Sequence, residues 1–261
     1  MEKRLVYSIC YYYGNNKISN ILNHLDTFNR IKINKQFILV NMVDSDDINY
    51  INNVENNLSD IIKNYNNDIN LKILSSFNSG GTILALWITY NYNKFIDDNL
   101  YVAHFEEDFH PINNDWLEQS ILLLNNNKKY IYIGEHIPSA TISTNVKNTK
   151  LKAKYSNPEW DYIINKYYKK ELTHFCWTDG GFYFSTIQNL KIIENKIGIF
   201  HKGTNEKYNH YIDGIVLGEV GFPTILHNNN FNFYGLERVK YFTHNKRGGG
   251  GPRKLLLLKT M

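Results

Sequence analysis

Leu100-Tyr101-Val102-Ala103-His104-Phe105-Glu106-Glu107-Asp108 passes from six mostly apolar residues directly into three carboxylates. A short continuous apolar run reads as a strand covered on both faces, and the polar break at its end as a loop on the sheet's edge. The same pattern recurs upstream. Leu5 to Tyr13 (LVYSICYYY) stops at Gly14-Asn15-Asn16, and Phe37 to Val43 (FILVNMV) stops at Asp44-Ser45-Asp46-Asp47. Leu71 to Leu74 stops at Ser75-Ser76-Phe77-Asn78-Ser79-Gly80-Gly81. Helical periods lie between these runs. Ile18, Ile21, Leu22, Leu25 and Phe28 share one face, as do Ile51, Val54, Leu58, Ile61, Ile62 and Tyr65, and Thr82 to about Asn93 predicts a compact third helix. Strands alternating with helices imply βαβ units, hence an α/β, Rossmann-type sandwich with a mostly parallel central sheet flanked by helices.

Downstream the pattern loosens. Trp116 to Leu124 predicts a helix and Tyr130 to Gly134 a strand, whereas Glu135 to about Leu172 keeps no clean period until Trp160 to Tyr168. Lys147, Lys150, Lys152 and Lys154 make part of that stretch a basic insertion, read as a solvated loop, a lid over a diphosphate or a contact for an acidic partner. Phe175 to Ser185 is strand-like around a Gly-Gly pair. Helices are expected at 187–195 and 209–217, and a strand at 223–226. Residues 1–245 read as one domain, a first half at 1–110 and a second at 111–245. Residues 246–261 (KRGGGGPRKLLLLKTM) read as a flexible Gly-rich tail.

Composition narrows the class. With 43% hydrophobic residues, 261 residues can bury a full core. A net charge of +4 over that length gives little phosphate-neutralising density, which excludes a dedicated nucleic-acid binder. Two cysteines, Cys10 and Cys176, make no disulfide framework, so a reducing, cytoplasmic setting is expected. No apolar run is long enough for a transmembrane segment. The Asn, Lys, Ile and Tyr bias suits an AT-rich genome, such as that of a large DNA virus (host cytoplasm, in that case) or a low-GC microbe.

In a doubly wound sheet, ligands bind beyond the carboxyl ends of the strands. Tyr11 to Tyr13, Asp44, Asn78 to Gly81 and Glu106 to Asp108 would all fall along that edge. Three adjacent carboxylates repel one another unless a cation or solvent offsets the charge. Hard divalent ions such as Mg²⁺ or Mn²⁺ suit carboxylate oxygens and keep coordination sites for phosphates. Asp108, helped by Glu106 or Glu107, is therefore a candidate metal ligand that could clamp a diphosphate leaving group.

Here the sequence resembles the GT-A glycosyltransferases, in a family 2-like form. Phe105-Glu106-Glu107-Asp108-Phe109 looks like their DxD-type segment in a Glu-Glu-Asp version. The likeness includes the first strand and Asn78-Ser79-Gly80-Gly81 opening a helix. It extends to Asp179-Gly180-Gly181-Phe182-Tyr183-Phe184-Ser185 and Ile212-Asp213-Gly214-Ile215-Val216-Leu217-Gly218, and covers roughly residues 5 to 230. It implies a metal-dependent transferase that moves a sugar from a nucleotide-sugar, expected to be a UDP-sugar, to a hydroxyl on a glycan, protein or small molecule. Tyr11, Tyr12, Tyr13 and Asp44 would then meet the base and ribose, and Asn78 with Gly80 would line the donor pocket. Asp108 would bind Mn²⁺ or Mg²⁺, with Glu106 or Glu107 supporting it or touching the ribose. His227 would face the metal or diphosphate. Asp213 matches the position of the base in inverting members, but Ile212 precedes it where a second acid often stands, so Asp179 remains its rival.

The chemistry requires a carboxylate to take the acceptor's proton and positive charge on the departing phosphate. Trp177 is a candidate sugar-stacking residue, and His104 reads as a packed strand histidine. Two other readings stand beside the transferase. A sugar nucleotidyltransferase would want a glycine-rich, Arg-containing loop after the first strand, which Tyr12-Tyr13-Gly14-Asn15-Asn16 does not supply. A non-catalytic protein retaining the fold would bind nucleotide without turnover. Oligomeric state is left open, a homodimer included.

Overall fold

A computed structural model describes residues 3–13, 17–77, 81–126, 130–136, 144–145, 174–175, 179–197, 222, 226 and 229–244. Strand β1 (Arg4–Tyr12), helix α1 (Ile18–Arg30), β2 (Asn34–Val43), α2 (Ile48–Tyr65), β3 (Leu71–Phe77), α3 (Gly81–Asn93) and β4 (Tyr101–Glu106) follow the expected alternation. Then come β5 (Phe109–Pro111), α4 (Asp115–Leu124), β6 (Tyr130–His136), β7 (Thr144–Asn145), β8 (His174–Phe175), β9 (Asp179–Thr186) and α5 (Ile187–Ile197). The described chain ends with β10 (Asn232–Glu237), α6 (Arg238–Tyr241) and β11 (Phe242–His244).

The central sheet has seven strands in the order β10-β6-β9-β4-β1-β2-β3. β1 pairs in parallel with both β2 and β4, β2 with β3, and β6 with β10, while β9 runs antiparallel between β4 and β6. The β1–α1–β2–α2–β3 succession moves one way across the sheet, and α3 then carries the chain back to β4 on the other side of β1. β1 and β4 therefore flank the topological switch point, where strand ends diverge and leave a crevice.

Each face has its own core. Leu5, Tyr7, Ile9 and Tyr11 of β1 face one way and pack with Ile21, Leu25 and Phe28 of α1, Val54, Leu58 and Ile62 of α2, and Trp116 of α4. Val6 faces the other way, with Val102 of β4, against Ile83, Leu86, Trp87 and Tyr90 of α3 and Ile187, Leu190 and Ile193 of α5. Period-two alternation along the strand produces this division. α3 is apolar around most of its circumference because it lies between the sheet and α5, as a helix buried on several sides must. On α2, Asp47 caps the first turn by accepting the Asn49 N–H at 2.9 Å. Tyr65, expected on α2's apolar face, is instead exposed and gives its hydroxyl to Asp26 of α1.

The sequence reading did not anticipate β5, β10, α6 and β11. β11 pairs antiparallel with β5, placing Phe242 opposite Pro111 and Thr243 opposite His110. The distal segment thus folds back onto the residues that follow the three carboxylates. Residues 147–154, 160–168, 209–217, 223–225 and 246–261, and Trp177, lie outside the described residues, while Leu226, expected to end a strand, is helical. No helix among the described residues is long and apolar enough to cross a membrane.

Candidate functional site

The carboxyl ends of β1, β2 and β4 meet at the switch point. Next to it, between the ends of β1 and β2, a cavity of about 240 Å³ is lined by Tyr12, Tyr13, Val43, Asp44, Ser45 and Tyr50. Tyr12 and Tyr13 close β1, Val43 to Ser45 close β2, and Tyr50 comes from the first turn of α2. The Tyr12 hydroxyl donates to Asp44 Oδ2, a bond that raises the phenol's pKa because ionisation would set two anions side by side. The Tyr13 and Tyr50 rings meet edge to face at 6.4 Å. The cavity therefore offers aromatic faces and a carboxylate, the combination that a planar, hydrogen-bonding ligand requires.

Tyr11, expected beside Tyr12 and Tyr13, does not line this cavity. Alternation turns Tyr11 to the opposite side of the sheet from Tyr12, where it is fully buried beneath the acid turn. Burial, with the Glu107 charge adding to it, pushes its phenol up to about 12.

The three carboxylates form the turn between β4 and β5, and each has a different setting. Glu106 Oε1 accepts the Thr82 hydroxyl at 2.7 Å, from the first turn of α3. A hydrogen bond to an ionised group contributes about 1.5–3 kcal/mol, and a helix N-terminus favours an anion in addition. Glu107 Oε2 accepts the Tyr12 backbone N–H at 2.7 Å, and the side chain is buried. Glu107 thereby splices the end of β1 to the acid turn, a structural task the sequence reading did not assign it. Asp108 is buried as well, at 4% exposure. Beneath the turn, His24 of α1 lies 3.2 Å from the Glu106 carbonyl. Burial and the neighbouring His110 hold its imidazole well below the usual histidine range. His104, which bonds Ser8 Oγ through Nδ1 at 2.9 Å, is lowered by burial to about 3, as expected of a packed histidine.

Across the sheet, Glu135 at the end of β6 is completely buried and accepts both Nε and Nη2 of Arg238 on one oxygen. The Arg238 guanidinium lies 5.4 Å from the centre of the Phe109 ring. A Cβ at Gly181 would come within 2.4 Å of Glu135 Oε2 and 2.7 Å of Phe109 ring carbons, so only glycine fits this position of β9. β6, β9 and α6 thus converge on the residue next to Asp108. Sequence reasoning missed Glu135, Arg238 and Tyr50. Tyr50 carried a usable signal, an aromatic three residues after the α2 cap and therefore beside the end of β2.

Of the other expected site residues, Asp179 starts β9 and pairs with Glu135 across a register shift after Gly134, at the same end of the sheet as the acid turn. Asn78, Gly80, Asp213 and His227 lie outside the described residues. Among the described residues no group of three or more His, Cys, Asp and Glu is arranged to hold a metal ion. The carboxylates of the turn are hard oxygen donors that suit Mg²⁺ or Mn²⁺, but they constitute a partial set that phosphate oxygens would have to complete.

No protein-family model and no curated protein matches the sequence. Solved structures do match the fold. A mannosyltransferase from Pyrobaculum calidifontis, PcManGT, solved with GDP-Man and Mn²⁺, gives a TM-score of 0.50 at 10% identity, covering 92% of this chain and 56% of its own. TarS of S. aureus, solved with UDP-GlcNAc, gives 0.46 at 14% identity over 95% of this chain and 60% of its own. The 4-diphosphocytidyl-2C-methyl-D-erythritol synthase of Anaerococcus prevotii gives 0.46 at 14% identity over 90% and 89%. This chain spans little more than half the mannosyltransferase's length. The likeness is one of fold: the chain has a GT-A-like, Rossmann-type α/β architecture with a mostly parallel central sheet flanked by helices.

Proposed function

We propose that this chain is a glycosyltransferase that takes a sugar from a nucleotide-sugar donor, expected to be a UDP-sugar, and transfers it to a hydroxyl acceptor. One observation carries the reading. An aromatic cavity with a carboxylate (Tyr12, Tyr13, Asp44, Tyr50), between the ends of β1 and β2, adjoins a turn of three acids (Glu106, Glu107, Asp108) at the end of β4, through the Tyr12 N–H bond to Glu107. A nucleoside diphosphate has the matching halves, a planar base with ribose and a polyanion that needs a cation. The mannosyltransferase of like fold was solved with GDP-Man and Mn²⁺, which supports the pairing of donor and metal.

In this reading the base stacks against Tyr13 or Tyr50 and hydrogen-bonds at Asp44, while Tyr12 fixes the Asp44 carboxylate. Asp108, with Glu106, would hold the divalent ion, and His227 would join on the metal or diphosphate. The ion, when bound, neutralises charge on the leaving diphosphate. Glu107 keeps the acid turn joined to β1. Asn78 and Gly80 would line the donor side. A carboxylate, Asp213 or its rival Asp179, removes the proton from the acceptor hydroxyl. The acceptor oxygen forms its bond to the anomeric carbon as the carbon–oxygen bond to phosphate breaks, and the diphosphate leaves with the electron pair. Attack from the face opposite the leaving group inverts the anomeric centre. The whole apparatus belongs to one domain, residues 1–245.

A panel of UDP-, GDP- and CDP-sugars, screened with Mn²⁺ for release of the free nucleotide in the presence of glycan acceptors, tests the proposal. Release from one donor class is expected, with Asp213→Asn abolishing transfer but not binding. Loss of transfer in Asp179→Asn instead reassigns the base. No release from any donor, together with no nucleotide binding, overturns the function.

A further inference from the structure

The acid turn hangs from a helix that contributes nothing to the cavity. His24 lies in the apolar stripe of α1 with Ile21, Leu25 and Phe28, and its ring is completely buried. Its two nitrogens face different partners: Nδ1 is 2.8 Å from the Tyr7 hydroxyl and Nε2 is 3.2 Å from the Glu106 carbonyl oxygen. A carbonyl can only accept, so Nε2 carries the hydrogen. Nδ1 is then bare and accepts from Tyr7. The partners fix the tautomer, and the tautomer gives the imidazole a single productive orientation. The ring also lies 4.5 Å from that of His110, beyond the far end of the turn. One side chain therefore touches Glu106 at the start of the turn and His110 just past its end, with Glu107 and Asp108 between them.

We propose that His24 is a positioning residue for the acid turn: its Nε2–H bond to the Glu106 carbonyl and its contact with His110 set the backbone from which Glu106 and Asp108 present their carboxylates. This rests on the reading of the turn as a cation and diphosphate site. An outer partner that orients ligating groups commonly changes metal affinity by about 10–100-fold when removed, although it never touches the ion. Tyr7, by donating to Nδ1, holds His24 in turn.

The test compares wild type with His24→Leu, His24→Gln and Tyr7→Phe in two measurements. UDP affinity is measured by calorimetry with and without Mn²⁺, and amide hydrogen exchange is measured at residues 106–110 without ligand. His24→Leu is expected to lose about 10–100-fold of the Mn²⁺-linked affinity while metal-free UDP affinity stays within about threefold. It should also speed exchange across the turn. His24→Gln, whose amide N–H can reach the same carbonyl, should recover most of both effects. Tyr7→Phe, which leaves the imidazole in place, should show a smaller loss of the same sign and serves if His24→Leu does not fold. Equal loss of metal-free and metal-linked affinity, or no rescue by Gln, marks a merely structural residue and overturns the inference. If wild type shows no Mn²⁺-linked binding of UDP, GDP or CDP, the functional reading fails. In that case unchanged exchange at 106–110 in His24→Leu overturns the positioning role separately.

Discussion

Replacing Gly181 by alanine adds one methyl group where the structure has no room. The new Cβ would meet Glu135 Oε2 at 2.4 Å and the Phe109 ring at 2.7 Å, against the 3.4–4 Å of ordinary contact. Both neighbours must retreat by roughly 0.7–1 Å, in a core packed densely enough to resist shifts of that size. Glu135 is fully buried and held by two nitrogens of Arg238, so its retreat stretches a buried ion pair. Phe109 is also fully buried, against Phe182 and Phe242. Overpacking of this kind costs about 1–3 kcal/mol, and the disturbed ion pair places the expected loss toward the upper end. In a chain of this size each kcal/mol lowers the midpoint by about 2–4 °C, so Gly181→Ala should melt roughly 5–10 °C below wild type. Urea unfolding followed by tryptophan fluorescence measures the free energy directly. Phe109→Leu in the same background should return part of the loss by vacating space. A Gly181→Ala variant within about 0.5 kcal/mol of wild type would refute the claim that β6, β9 and α6 are locked together around Phe109.

Other outcomes follow from the crevice. Tyr50→Ala should weaken nucleotide binding by about 1–3 kcal/mol, the range for a lost base-stacking partner, while Tyr11→Phe should leave it unchanged because Tyr11 lies on the opposite side of the sheet. Thr82→Val deletes the hydroxyl bonded to Glu106 and should destabilise the fold by about 1–3 kcal/mol in chemical denaturation. The pH dependence of stability has a definite sign. His104 is neutral in the fold down to about 3 but takes up a proton near its ordinary 6.5 when unfolded. Its contribution is therefore complete above pH 6.5 and declines as pH falls from there toward 3. His104 alone adds about 1.4 kcal/mol per pH unit to the slope in melts run with chelator, and His104→Asn should lower the slope by that amount, leaving the part of the same sign that buried His24 contributes.

What was legible in the sequence had local causes. β1, β2 and β4 are continuous apolar runs closed by polar residues, so each announces itself without knowledge of its partner. The acid turn was visible because three adjacent carboxylates after such a run are uncommon in charge and place. β5 and β11 were not legible, since three residues carry no period and become strands only by pairing across more than a hundred positions. β10 alternates between exposed and half-buried residues at the sheet's edge and lacks the continuous apolar run that marked the central strands. Tyr11 and Tyr12 look alike in sequence, and only the β pleat separates a core ring from a cavity ring. His24 resembled any polar residue in a helix, because its partners Tyr7 and Glu106 lie 17 and 82 positions away. Glu135 and Arg238 stand 103 positions apart, and their ion pair likewise exists only in the fold.

The central claim is that the cavity at the ends of β1 and β2 and the acid turn form one site for a nucleoside diphosphate and a divalent ion. Isothermal titration with UDP, GDP and CDP, each with and without Mn²⁺, tests it most directly. One diphosphate should bind, with Mn²⁺ strengthening the interaction by about tenfold or more and Asp108→Asn removing that gain while leaving the metal-free affinity intact. Absence of binding by all three under both conditions, or a Mn²⁺ effect that survives in Asp108→Asn, would contradict it.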